Sequence, residues 1–309
     1  MEILFQFLLL VAGFVMLIKG ADWFVDGASG IATKFGIPQL VIGLTIVAMG
    51  TSSPEAAVSI SAAINGNADI TIGNIVGSNI LNIFIILGIS ALITTLAVAK
   101  STMKYETPLM IAVTVLLLIQ GLDGKIGLVD GIIMLAAFAG YMVYLFKMAK
   151  NNMDEQADEP KKEVKILKAI IFTIIGLVLI VLGSNVTVDA ATKIAEAFGV
   201  SERFIGLTIV ALGTSLPELF TSVSAARKGN ADIAIGNIVG SNIFNILFVV
   251  GVSAIIVPVP FVSNFIFDTA VAIFAAVLLL LCCLKTQSLK RWAGALMLVC
   301  YAIYFIMIL

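Results

Sequence analysis

Long apolar runs separated by short polar breaks dominate this chain. The runs fall at 3–33, 41–64, 69–96, 104–121, 126–148, 165–196, 204–227, 232–257, 264–284 and 290–309. Each is about 18 residues or longer and carries few charges, which is what a bilayer core demands of a crossing helix. The pattern predicts an all-α membrane protein with about ten transmembrane helices. The first run starts at Ile3 behind Glu2, without a basic segment or a clear cleavage site, and reads as a membrane helix rather than a signal peptide. One hydrophilic linker interrupts the series, KNNMDEQADEPKKE at Lys150–Glu163. Its acids Asp154, Glu155, Asp158 and Glu159 lack the spacing of a calcium-binding EF loop, so it is expected to be a solvated loop, too short for a regulatory domain.

The apolar pattern repeats. Shifted so that Glu55 meets Glu218, an offset of 163 residues, the sequence matches itself without a gap. VIGLTIVAMGTSSPE (41–55) meets FIGLTIVALGTSLPE (204–218), and GNADITIGNIVGSNILNI (66–83) meets GNADIAIGNIVGSNIFNI (229–246). Farther out, Gly20, Asp26, Phe35, Gly36, Gly131 and Tyr141 meet Gly183, Asp189, Phe198, Gly199, Gly294 and Tyr304. Each copy holds five runs, an odd number, so the second copy enters the membrane from the opposite face. The expected organisation is a first five-helix repeat (1–148, core motif 41–93), a cytoplasmic linker (149–163) and an inverted second repeat (164–309, core motif 204–256). Inverted repeats of this kind are common in secondary transporters, which bind substrate near the midplane between the repeats. Duplication for packing alone explains matched glycines. It does not explain why the best-matched segments are also the most polar ones inside the membrane.

Composition agrees: 61% of the 309 residues are hydrophobic and 12% charged, about half the charged share of a soluble domain. The net charge of −1 says nothing useful about partners; neither nucleic acid nor an obligatory protein partner is expected beside the lipid bilayer. There is no histidine, which excludes histidine–metal sites and histidine triads. Cys282, Cys283 and Cys300 sit in apolar runs without CxxC spacing, so they are expected to be plain apolar side chains, and no cofactor is expected. Lys and Arg set the orientation. With the N-terminus outside, the inner connections hold 14 of them and the outer side only Lys125, Lys193 and Arg203. Both termini are therefore expected outside the cell membrane.

The chemistry concentrates in Gly50-Thr51-Ser52-Ser53-Pro54-Glu55 and Gly213-Thr214-Ser215-Leu216-Pro217-Glu218, each near the middle of a run. Proline lacks an N–H and breaks the helix one turn back. That frees carbonyls around Ala48–Gly50 and Ala211–Gly213, and Thr and Ser are expected to cap the half-helix that follows. Irregular backbone survives in a membrane only where protein buries it or a cavity receives it. Freed carbonyls, hydroxyls and a carboxylate are hard oxygen ligands, suited to calcium or sodium. Glu55 and Glu218 are the carboxylates nearest the middle of the runs, with no Lys or Arg at comparable depth in neighbouring core segments. A cation is their natural partner. Asn74, Ser78 and Asn82 recur at i, i+4 and i+8 and share one helix face, as do Asn237, Ser241 and Asn245. Gly73, Gly77, Gly236 and Gly240 are expected to serve close helix packing. Asn79 and Asn242 fall off the stripe and read as structural, as do Asp22, Asp26 and Asp189 near the run ends and Asp69 and Asp232 at helix starts.

Two copies of GTSxPE, each followed by GNxxGSNxxN, resemble the paired alpha repeats of the cation/calcium antiporter superfamily, and most closely its prokaryotic sodium/calcium exchangers. The resemblance spans the whole chain. It implies ten transmembrane helices with the alpha repeats antiparallel around four central cation sites, and Ca2+ and Na+ as the transported ions. It implies Glu55 and Glu218 as shared ligands, Thr51, Ser52, Thr214 and Ser215 as hydroxyl and backbone ligands, Ser78, Ser241 and Asn82 as side-chain ligands, and Ala48 and Ala211 as carbonyl ligands. Some relatives carry aspartate where this chain has Asn245. With amides at both Asn82 and Asn245, the site charge is −2 when both glutamates are ionised, and one calcium ion would neutralise it. This departure argues against potassium dependence.

Two other readings compete. A calcium/proton antiporter could use the titratable glutamates, but the proton-coupled branch usually carries an acid in its GN motif, which here reads GNIVGSN. A passive cation channel could be lined by the same oxygens, yet an inverted repeat around a closed two-carboxylate site fits alternating access better. No nucleophile–base pair suggests an enzyme, and magnesium gives up its water too reluctantly for such a site.

Overall fold

The computed structural model describes residues 2–155, 165–200 and 211–308. The helices follow the apolar runs: α1 (Glu2–Phe35), α2 (Gln39–Thr51), α3 (Ser53–Ile64), α4 (Asp69–Ile93), α5 (Thr102–Gly121), α6 (Leu128–Glu155), α7 (Ile166–Ala197), a short α8 (Ala211–Gly213), α9 (Leu216–Arg227), α10 (Ala231–Ile256), α11 (Asn264–Leu284) and α12 (Arg291–Ile308). Among the described residues eight helices are long and apolar enough to cross a membrane. The pair α2 and α3, bent by 49°, makes a ninth if counted as one span. The first part of the seventh expected run (204–210), most of the expected linker (156–163) and residue 164 lie outside the described residues. Helix α6 continues to Glu155, into the stretch expected as linker.

Helices α4 and α10 form the centre. In their most apolar stretches 78% and 83% of residues are buried, against 17–39% in the other six long helices, so the latter are left to face lipid. Glycine lets backbones meet. A Cβ on Gly20 of α1 would lie 2.9 Å from the Gly176 carbonyl oxygen of α7, and one on Gly236 of α10 would lie 3.0 Å from the Leu40 carbonyl oxygen of α2.

Two features depart from a purely α-helical reading. Short antiparallel pairs tie the helix ends: β1 (Leu96–Ala97) with β4 (Ser288–Leu289), and β2 (Lys125–Ile126) with β3 (Val259–Pro260). Their registers, Leu96↔Leu289 and Ile126↔Val259, are images of one another under the 163-residue shift. π-helical stretches also interrupt the core helices at Gly43–Val47, Asn82–Leu87 and Asn245–Val250, next to the polar motifs. Inserted π turns of this kind gather at functional sites.

Candidate functional site

The breaks fall where proline predicts them. Ser52 separates α2 from α3, and Ser215 precedes α9, with Pro54 and Pro217 in the first turns. The expected serine caps are overturned: neither Ser52 nor Ser215 makes a side-chain cap bond. Both hydroxyls reach across to the other half instead. Ser52 Oγ donates to Glu218 Oε1 at 2.7 Å, and Ser215 Oγ donates to Glu55 Oε1 at 3.4 Å. A hydrogen bond donated to an ionised carboxylate is stronger than one to a neutral group, and here the carboxylate lies in the opposite repeat.

Around these contacts the structure gathers most of the residues the motifs single out. Glu55 and Glu218 are buried, as are Thr51, Ser52, Ser78, Asn82, Ser215, Ser241 and Asn245. Thr51 Oγ1 lies within hydrogen-bond distance of the Val47 carbonyl at 3.0 Å and Asn237 Oδ1 at 3.0 Å. The Ala48 carbonyl is not idle: it accepts from the Ser52 N–H at 3.0 Å and from Ser241 Oγ at 3.3 Å. Asn74 Nδ2 donates to Ser59 Oγ at 2.9 Å and to the Glu55 carbonyl at 3.3 Å. Its mate Asn237 repeats this with Ser222 Oγ at 2.9 Å and the Glu218 carbonyl at 3.4 Å. Each asparagine therefore holds the backbone that carries its half's glutamate. Ala211 opens the α8 turn.

Four oxygens in this cluster have no hydrogen-bond partner: Glu55 Oε2, Glu218 Oε2, Asn82 Oδ1 and Asn245 Oδ1. They form two pairs related by the repeat. A buried oxygen left unpaired costs about 1–3 kcal/mol, and more when charged. The ion pairs among the described residues are those of Lys228 with Asp22 and Asp26, so neither glutamate pairs with a Lys or Arg there. Buried carboxylate and amide oxygens without donors constitute a hard-cation environment.

The two repeat-related contacts between the halves differ in openness. Thr51 and Asn237 are fully buried and bonded to each other. Their mates Thr214 and Asn74 are part-exposed and line one cavity of about 480 Å³ with Asp69, Ser78 and Tyr304. A second cavity of about 570 Å³ also reaches Thr214 and is lined by Ser184, Asn185 and Asp189.

Sequence reading missed two features. Asn79 and Asn242, read as structural, hydrogen-bond the ligand candidates Asn245 and Asn82, a partnership the stripe did not reveal. Their position one residue beyond Ser78 and Ser241 was the available signal. Glu106 is fully buried and accepts a hydrogen bond from Tyr144. It stands just inside the 104–121 run, where an acid in an apolar stretch could have been noted.

The comparisons with known proteins bear on the whole chain. The family model described as sodium/calcium exchanger protein matches residues 5–147 and 168–309. The Alkalimonas amylolytica protein CaxA is 42% identical, over 91% of this chain and 90% of its own length. The sodium/calcium exchanger MaX1 of Methanosarcina acetivorans is 32% identical, over 98% of each chain. A structure of the sodium-calcium exchanger NCX_Mj, from crystals soaked without Na+ and Ca2+, superposes with a TM-score of 0.87 at 33% identity, covering 99% of this chain and 100% of that one.

Proposed function

The chain belongs to the sodium/calcium exchanger protein family, and from that premise we propose that it exchanges calcium for sodium across the cell membrane by alternating access. The reading takes ten membrane helices in two inverted five-helix repeats, 1–148 and 164–309, with a cytoplasmic linker at 149–163 and both termini outside. The match to MaX1, named a sodium/calcium exchanger, supports the choice of ions.

The single observation that carries the reading is the set of four unpaired, buried oxygens on Glu55, Glu218, Asn82 and Asn245. Glu55 and Glu218 supply the charge, one from each half. Asn82 and Asn245 supply neutral oxygens, and Thr51, Ser52, Ser78, Thr214, Ser215 and Ser241 supply hydroxyls. The carbonyls of Ala48 and Ala211 complete the set. A desolvated divalent ion needs this compensation, because low-dielectric surroundings strengthen every charge interaction. When the ion leaves, two buried carboxylates of like charge repel one another, which favours refilling by sodium. Obligatory refilling is what couples the two fluxes.

The cavities support an arrangement open on one side. Both meet at Thr214, one lined by Asp69 and the other by Asp189, on the side that the basic residues assign to the exterior. On the opposite side Lys228 bridges Asp26 at 2.6 Å and ties α9 to α1.

Calcium uptake into proteoliposomes tests the coupling. Sodium-loaded vesicles diluted into sodium-free buffer should accumulate calcium, and a proton gradient without sodium should not. Equal uptake under the proton gradient would replace this reading by calcium/proton antiport, which the same two glutamates could serve. Uptake that neither saturates nor needs a counter-ion would indicate a channel.

A further inference from the structure

We propose that Asn79 and Asn242 are positioning residues that fix which end of the Asn82 and Asn245 amides faces the cation cluster. The inference rests on the cation-site reading above. An amide's oxygen and NH2 ends have nearly the same shape, so packing alone does not choose between them. An NH2 turned toward a cation would repel it, so the choice matters to binding.

The choice is made by a relay that starts at a backbone carbonyl, a group that can only accept. Asn242 Nδ2 donates to the Asn79 carbonyl at 3.1 Å. That leaves Asn242 Oδ1 at the other end of the amide, where it accepts from Asn82 Nδ2 at 2.9 Å. Asn82 then has only Oδ1 to offer, and that atom is buried without a partner. The mirror relay runs the same way. Asn79 Nδ2 donates to the Asn242 carbonyl at 3.1 Å, Asn79 Oδ1 accepts from Asn245 Nδ2 at 3.1 Å, and Asn245 Oδ1 is left unpartnered.

No single amide in either relay can reverse alone. Reversing Asn82 would set its oxygen against Asn242 Oδ1, and reversing Asn242 would set its oxygen against a backbone carbonyl. All four side chains are at most 2% exposed, so water is not at hand to relieve such a clash. Each relay also crosses between halves: Asn242 orients the ligand of the first half, and Asn79 that of the second. The oxygen-only character of the cluster is thus set by the contact between the repeats.

Calcium titration of purified, detergent-solubilised protein, with thermal unfolding as the folding control, tests this. Asn242→Leu removes the acceptor that aims Asn82 while nearly keeping the volume. It should raise the calcium half-saturation concentration tenfold or more. Adding Asn82→Ala should then cost little further, because the amide is already unaimed, whereas Asn82→Asp should restore most of the lost affinity, since a carboxylate has oxygen at both ends and needs no aiming. Were Asn79 and Asn242 merely staples between the halves, Asn82→Ala would add its full loss, and Asn82→Asp would raise affinity beside Asn242→Leu by no more than it does alone. Either result overturns the inference, as does unchanged calcium affinity in Asn242→Leu. Absence of calcium binding in the unmutated protein would instead count against the cation-site reading itself. If Asn242→Leu does not fold, Asn242→Asp decides. It keeps an oxygen facing Asn82 while losing the donor to the Asn79 carbonyl, so folded protein should still bind calcium, and folded protein that fails to bind it overturns the proposal.

Discussion

Pro54 and Pro217 each leave a carbonyl one turn back without its helical donor, and the two halves satisfy it differently. In the first half Ser53 Oγ donates to the Gly50 carbonyl at 2.7 Å. In the second half Leu216 stands at that position, and Ser184 of α7 donates to the Gly213 carbonyl at 2.7 Å. Ala21 occupies the mate position of Ser184 in the first half, so each half keeps one hydroxyl for one orphan carbonyl. Ser184 is buried and Ser53 is exposed. Ser184→Ala should therefore cost about 1–3 kcal/mol and lower the thermal unfolding midpoint more than Ser53→Ala; equal midpoints would contradict this account. The glutamates permit a sharper test. Glu55→Gln and Glu218→Gln keep shape and remove one charge, leaving a site of charge −1. Both variants should fold yet lose calcium exchange, and the two defects should match in kind because the residues are repeat mates. Near-normal exchange on equal amounts of purified protein would remove that glutamate from the site.

At the scale of elements, the candidate site lies in helices that are not regular. Helices α2 and α3 bend at Ser52, and α4 and α10 pass into π turns at Asn82 and Asn245, so ligand candidates cluster where backbone geometry changes. The contact of α2 with α10 is closed by Thr51 and Asn237, while Thr214 and Asn74 line a cavity. In a background lacking the three cysteines, cysteine introduced at Asn74 or Thr214 should react quickly with a small impermeant thiol reagent applied from outside. Cysteine at Thr51 or Asn237 should be protected. Rapid labelling at position 237 from the same side would show that the closed contact is not closed. The Lys228 link to Asp22 and Asp26 has no counterpart of the same chemistry, because its mate position holds Asn65. The two faces of the molecule are thus not equivalent even though the halves are.

For the whole molecule, the recurrent theme is exchange of mates between halves. Ser52 meets Glu218 and Ser215 meets Glu55; Asn82 meets Asn242 and Asn245 meets Asn79; β1 meets β4 and β2 meets β3. Neither half can assemble the cluster alone. The 14-to-3 division of basic residues sets the expected orientation. An impermeant reagent on intact cells should label cysteine introduced at Asn67, in the turn between α3 and α4, and should reach cysteine at Asn151 only after the membrane is permeabilised. The opposite pattern would invert the topology and make the open cavities face the cytoplasm.

Hydrophobic run lengths, the 163-residue repeat and the paired GTSxPE and GNxxGSN motifs were enough to read the membrane class, the family and the candidate residues, because bilayer thickness and buried charge constrain local sequence strongly. They also located the breaks at proline, a purely local effect. What the sequence could not decide was partnership across the repeat. Ser52 was expected to cap its own helix, and only the docking of the second half puts Glu218 within its reach. Asn79 and Asn242 read only as structural, with no partner named, since a helical wheel records faces of one helix and not the carbonyls of another. Glu106 was passed over for the same reason, its burial being supplied by neighbouring helices and its hydrogen bond by Tyr144 of α6. Nor could nearly identical motifs reveal that one contact between the repeats would be sealed and its mate open, a difference that arises when helices pack and not within any of them.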